Sequence, residues 1–158
     1  MNPLAQTAVI AISSLAAAGA TFAIRGAPER AFTCDPASLK ADEVCLDQIA
    51  SGASILWVDA RPRKDWVKNG VPGSILWNVD AAEDLRTFEA ETAMRIMETP
   101  QVVVYCGDEN CGVSRQVAQQ IRDLQLGAEV SVLKGGWRAL SEAGRTKRPA
   151  AKWTRSGG

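Results

Sequence analysis

Four short apolar runs, at 55–59, 75–79, 102–105 and 130–133, are separated by stretches in which apolar residues recur at helical spacing. The third run, Val102-Val103-Val104-Tyr105, is unbroken and β-branched, the composition of a strand buried on both faces of a parallel sheet. Helical patterns are expected over 36–50, 63–68, 80–97 (in pieces), 113–126 and 137–143. Punctuation supports these bounds. Asp35 precedes Pro36 as a candidate N-cap, Asn69-Gly70 stops the second helix, Pro100 resets the chain and Gly127 ends the fourth helix. Strands alternating with helices predict an α/β fold of three layers (α/β/α) around a mainly parallel, doubly wound central sheet.

The ends of the chain follow a different pattern. From Leu4 to Ile24 no side chain is charged, and the segment is long enough to cross a bilayer as a helix. An uncleaved anchor at 1–25 is the preferred reading, against a cleaved signal peptide, which would need a basic start, and a core helix, which would need a polar face. The expected organisation is therefore one hydrophobic helix at 1–25, a linker at 26–35, a domain at 36–145 and a basic, disordered tail at 146–158. That makes the lipid bilayer a partner and a bacterial inner membrane, crossed once, the expected location. Small residues in the span could also pack against a helix of a membrane-protein partner. Sidedness stays open: Arg25 and Arg30 after the span favour a cytoplasmic domain, while Cys34 and Cys45 could bridge in an oxidising compartment. Two unrelated free thiols are an equal reading of that pair.

Composition narrows the chemistry. The 158 residues suffice for one α/β core, and 18 basic against 18 acidic residues give no reason to expect a nucleic-acid partner. There is no histidine. Cys-His proteases, Ser-His-Asp hydrolases and His-ligated metal sites are excluded together.

The thiol of Cys106 holds the chemically suggestive position, since the carboxyl end of a buried strand is where open α/β sheets place ligands. Gly107-Asp108-Glu109-Asn110-Cys111-Gly112 then suits a tight turn into the helix near Val113. Main-chain N–H groups facing inward, with the helix dipole, would favour a thiolate over a thiol. A small buried hydrophobe is the plain alternative.

Trp57-Val58-Asp59-Ala60-Arg61, Asn69-Gly70-Val71-Pro72-Gly73-Ser74-Ile75, the Cys106 strand and Val130-Ser131-Val132-Leu133-Lys134-Gly135-Gly136-Trp137 occur in this order. As an ordered set they resemble the rhodanese-like (sulfurtransferase) domain, over roughly 42–144. The resemblance implies that Cys106 accepts a sulfane sulfur from a small donor such as thiosulfate or a polysulfide, holds it as a persulfide, and passes it to a thiol acceptor, with no cofactor and no metal. It also implies that Asp59 and Arg61 brace the loop as a structural pair, that Gly135 and Gly136 allow close backbone approach, and that Trp137 is a wall. Trp66 and Trp77 could line the pocket or fill the core.

Two departures stand out. The loop from Cys106 to Ser114 is about two residues longer than in common rhodaneses, and Val113 stands where the loop arginine is usual, with Arg115 just beyond. Phosphatase chemistry would need that arginine to fork onto phosphoryl oxygens, and Asp108 and Glu109 would repel a phosphate dianion. The other departure is Cys111 inside the loop. It is either a packing residue or a resolving thiol able to form a disulfide with Cys106 or relay a persulfide. Two rival functions follow: a thiol-disulfide redox module using Cys106 and Cys111, and a non-catalytic interaction domain. A zinc site from all four cysteines ranks lowest, because neither pair has zinc-knuckle spacing.

Overall fold

The structure, a computed structural model, describes residues 31–50, 52–107 and 112–147. Five strands form a single sheet in the order β1-β5-β4-β2-β3: β1 (Glu43–Val44), β2 (Leu56–Asp59), β3 (Ile75–Leu76), β4 (Gln101–Tyr105) and β5 (Glu129–Leu133). Every neighbouring pair is parallel. The helices are α1 (Arg63–Asn69), α2 (Leu85–Glu98), α3 (Gly112–Asp123) and α4 (Gly136–Glu142).

Alternation along β4 divides the core into two. Val102, Val104 and Cys106 face one side with Val130 and Val132, and there Phe88 and Ile96 of α2 and Val117, Ala118 and Ile121 of α3 cover them. Val103 and Tyr105 face the other side, against Leu133, Leu140 of α4 and the flanking Leu46 and Ile49. Full burial of a Val or Leu contributes roughly 1.5–3 kcal/mol, so the central strand anchors both layers. The expected three-layer α/β fold with a parallel sheet is what forms.

Three local expectations are corrected. Residues 36–50 do not make a helix; they form 3-10 turns at Pro36–Ser38 and Leu46–Gln48 around β1. Leu39, Val44 and Ile49 are five apart, a spacing that leaves one face of an α-helix. Their neighbourhood instead joins the sheet: Val132 N–H donates to the Asp42 carbonyl at 2.8 Å and Lys134 N–H to that of Val44 at 3.0 Å. The expected N-cap is nonetheless present, because Asp35 accepts from Ala37 N–H ahead of Pro36. Second, the strand expected over 75–79 stops at Leu76. Trp77 still donates to the Asp59 carbonyl at 3.0 Å, but the Asn78 side chain accepts from Asp80 N–H and turns the chain. Third, the helix expected from Asp80 begins at Leu85. Asp80 accepts from Ala82 N–H in a turn, and Asp84 caps α2 by accepting from Arg86 N–H.

At the amino-terminal side, Cys34 is disulfide-bonded to Cys45, and Phe32 N–H donates to the Glu142 carboxylate at 2.7 Å. Lys147, placed in the tail by sequence, is docked: its N–H donates to the Gly70 carbonyl at 3.0 Å and its ammonium lies 5.6 Å from the Trp66 ring centroid. The membrane anchor expected at 1–25 and the tail beyond Lys147 lie outside the described residues. Among the described residues no helix is long and apolar enough to cross a membrane.

Candidate functional site

Cys106 follows the last residue of β4, at the carboxyl edge of the sheet, and α3 starts at Gly112. Only 3% of its surface is exposed, and its sulfur is disulfide-bonded. Asp108, Glu109, Asn110 and Cys111, and with them the expected ring of loop amides, lie outside the described residues. Of the two Cys106 readings, a free thiolate does not describe this sulfur, while its burial matches that of a packing residue. The sulfur is oxidised, and the residue packs on the face shared with Val104 and Val132.

The other expected residues converge on the same edge. Asp59 is fully buried and accepts from Arg61 four ways, including Nη2 at 2.7 Å and the Arg61 main-chain N–H at 2.9 Å. Its second oxygen also accepts the Tyr105 hydroxyl at 2.7 Å. A carboxylate so surrounded satisfies the guanidinium in the bidentate manner that a buried pair requires. Burial, with the Asp59 charge beside it, pushes the Tyr105 phenol up, so it stays an O–H donor; it accepts in turn from Val71 N–H at 3.0 Å. Arg61 spends its remaining Nη1 on the Asn69 side chain at 3.0 Å and lies 5.2 Å from the Trp137 ring centroid. Its aliphatic stem passes about 4 Å from where a Cβ on Gly107 would project. The Arg61 stem thus runs beside Gly107, the first residue after Cys106.

Trp137 closes the site from the other side. Its main-chain N–H donates to the Cys106 carbonyl at 2.6 Å and its indole N–H to the Asn69 carbonyl at 3.1 Å. Gly135 and Gly136 both have positive φ, and a Cβ on Gly135 would run into the Phe32 ring. Gly70 is required for space: a Cβ there would sit 2.7 Å from the Trp66 carbonyl oxygen.

The remaining expectations sort as follows. Val113 packs against the α2/α3 core, and Ser114 is buried and engaged. Arg115 donates to Glu43 at 2.9 Å. Trp77 fills the core, with its indole N–H donating to Gln120 at 3.1 Å, whereas half-buried Trp66 donates to Ser74. Sequence reasoning did not single out Tyr105, Asn69, Glu43 or Phe32 as site residues. A signal existed for Tyr105 alone, since a phenol inside a buried strand needs a polar partner.

The rhodanese-like domain family matches residues 42–143. The chain belongs to the rhodanese-like family. The segment matched contains Asp59, Arg61, Asn69, Tyr105, Cys106 and Trp137, whereas Phe32 lies before it. No curated protein matches the chain. Among solved structures, a Bacillus halodurans protein is similar at 22% identity and TM-score 0.46, covering 61% of this chain and 65% of its own. The N-terminal domain of a Clostridium difficile 630 protein described as ATP/GTP binding is similar at 12% identity and TM-score 0.46, over 63% of this chain and 96% of that one. An As-Sb reductase from Leishmania major is similar at 19% identity and TM-score 0.44, over 58% of this chain and 65% of that one. The chain thus spans just under two thirds of the first and third of these. The assignment of the rhodanese-like domain rests on the family match and on the parallel sheet.

Proposed function

We propose that this rhodanese-like domain is a sulfurtransferase or sulfur carrier in which Cys106 forms a persulfide. The observation that carries the reading is the position of Cys106 at the carboxyl edge of the central strand, its carbonyl accepting from Trp137 N–H and the Arg61 stem lying beside Gly107. With the disulfide reduced, the Cys106 thiolate attacks the outer sulfur of thiosulfate or a polysulfide. A sulfur–sulfur bond forms on Cys106 while the donor's own breaks, and the electron pair leaves with sulfite or the shortened polysulfide. An acceptor thiolate then attacks the outer sulfur of the persulfide, and Cys106 departs as thiolate. Main-chain amides of the 107–112 loop would stabilise both anions in place of a general base. The experiment is turnover of the reduced full chain with thiosulfate or polysulfide and a thiol acceptor: Cys106→Ser should abolish it.

One observation favours a second reading. Cys106 is disulfide-bonded, and Cys111, the resolving thiol the sequence suggests, follows it by five residues in the chain. In a thiol-disulfide module a substrate thiolate attacks this pair, two electrons pass to it, and the substrate leaves as a disulfide. Oxidation of a dithiol substrate to its disulfide by the disulfide-bonded protein, without sulfane sulfur and lost in Cys111→Ser, would favour that reading over sulfur transfer.

The Cys34–Cys45 bond supports placing the domain on the oxidising side of a bacterial inner membrane, anchored by 1–25, a proposal tested by fractionation and by thiol labelling of intact cells. A soluble protein, or labelling only after lysis with both pairs reduced, would overturn it.

A further inference from the structure

The amino-terminal arm, residues 31–35, is tied to the domain at three points. Cys34 is bonded to Cys45, the Phe32 N–H donates to Glu142 at 2.7 Å, and the Phe32 ring fills the space beside Gly135 that a side chain there would need. The last two ties hold α4 at its two ends, since Gly135 is its N-cap and Glu142 its final residue. Between them stands Trp137, whose N–H donates to the Cys106 carbonyl at 2.6 Å. The arm and the strand that ends in Cys106 therefore bear on the same short helix.

The disulfide itself borders a cavity of about 450 Å³, whose wall includes Phe32, Cys34, Asp47, Ala143, Glu142 and Arg145. That volume is within the range of small-molecule sites. Cys34 is half-buried and lines the cavity, whereas Cys45 is fully buried behind it. Of the two residues, Cys34 is the one an incoming thiolate meets first. The charges on the wall select among thiols. Glu142 is engaged by Phe32 N–H and by Arg138, but Arg145 and Asp47 make no ion pair among the described residues. A wall that presents one cation and one carboxylate complements a molecule carrying both charges.

We infer that the Cys34–Cys45 disulfide is a second thiol-exchange site, opened through this cavity by a small zwitterionic thiol of the amino-acid type, and that its opening loosens the arm's hold on α4. The thiolate bonds to Cys34 Sγ, the Cys34–Cys45 bond breaks, and the electron pair leaves with Cys45, which takes up a proton. A second thiolate then attacks the small molecule's sulfur. Cys34 departs as thiolate, the two small thiols leave as their disulfide, and two electrons have passed to the pair. The site is separate from Cys106 and does not depend on sulfur transfer there.

The test uses the full chain carrying Cys106→Ser and Cys111→Ser, so that the outcome at Cys106 does not enter. A pulse of free L-cysteine, quenched with N-ethylmaleimide, is mapped by mass spectrometry; tryptic cleavage after Lys40 separates Cys34 from Cys45. The mixed disulfide should appear on the Cys34 peptide. With each thiol's rate referred to its rate on a small exposed disulfide, L-cysteine should outpace uncharged 2-mercaptoethanol severalfold, and Arg145→Gln with Asp47→Asn should abolish that advantage. Exposed Ala143 stands on the cavity wall, so Ala143→Phe should slow both thiols severalfold. Amide exchange at Phe32 and Trp137 should quicken once the bond opens, more than exchange in β4. Should the serine background fail to fold, the same two peptides are read in the parent chain. A mixed disulfide on Cys45, equal rates for the two thiols, opening only as fast as the whole domain unfolds, or a Trp137 amide unmoved by opening would overturn the inference.

Discussion

The main-chain N–H of Trp137 donates to the carbonyl of Cys106 at 2.6 Å, tying the strand that ends in the thiol to the segment that follows β5. That bond fixes where the 107–112 loop departs. Phe32 backs it from outside, seated where a side chain on Gly135 would be. Gly135 combines φ of +79° with this close approach, so Gly135→Ala should cost about 1–2 kcal/mol for the left-handed backbone and more for displacing Phe32. Chemical denaturation measures the loss, and Cys106 alkylation should change with it. An unchanged midpoint of unfolding would mean that Phe32 yields freely.

Asp59 is the keystone of the buried polar network. Asp59→Ala leaves the Arg61 guanidinium buried without its counter-charge and should destabilise by about 3–5 kcal/mol. Tyr105→Phe removes one donor to Asp59 and the acceptor for Val71 N–H, at about 1–3 kcal/mol. Because the residues share partners, the double variant should lose less than the sum of the two, which a double-mutant cycle in denaturant reads directly.

The Cys34–Cys45 bond closes a short loop, with a sequence separation of 11. In the chain-entropy picture its loss, in a Cys34→Ser/Cys45→Ser chain, should cost about 3 kcal/mol. The same change should release Phe32, so amide exchange at Phe32 and Gly135 should quicken more than exchange in β4. Uniform quickening would indicate global destabilisation with no arm-specific effect.

Acid should act on the same arm. The Phe32 N–H, then Arg138, hold the Glu142 carboxyl below the usual carboxylate range. A depressed folded-state value contributes stability that is present above the ordinary carboxylate pKa and is lost as pH falls through the folded one. Amide exchange at Phe32 should therefore accelerate on acidification below that range, relative to the rest of the domain. In Glu142→Gln the acceleration should be absent.

Much of the fold was legible in the chain. The Val102–Val104 run could only be an interior strand, and Gly127 and Asn69-Gly70 marked helix ends to within a few residues. What escaped were elements too short to carry a period. β1 has two residues, and its identity depends on backbone bonds to β5, which no local pattern announces. The site divides in the same way. Cys106, Asp59, Arg61 and Trp137 are visible because each lies at or shortly after the end of a strand in an ordered set. Glu43 is invisible because its pairing with Arg115 exists only once β1 has joined the sheet, and Phe32 because a disulfide, undecided by spacing, carries it to Gly135.

The central claim is that Cys106 carries a sulfane sulfur atom. Peptide-mapping mass spectrometry of the reduced full chain, taken before polysulfide, after it, and again after a thiol acceptor, tests this most directly. One added sulfur on the Cys106 peptide, removed by the acceptor and missing in Cys106→Ser, is the expected result. Sulfur found only on the other cysteines, or none on Cys106 while its thiol alkylates freely, would contradict it.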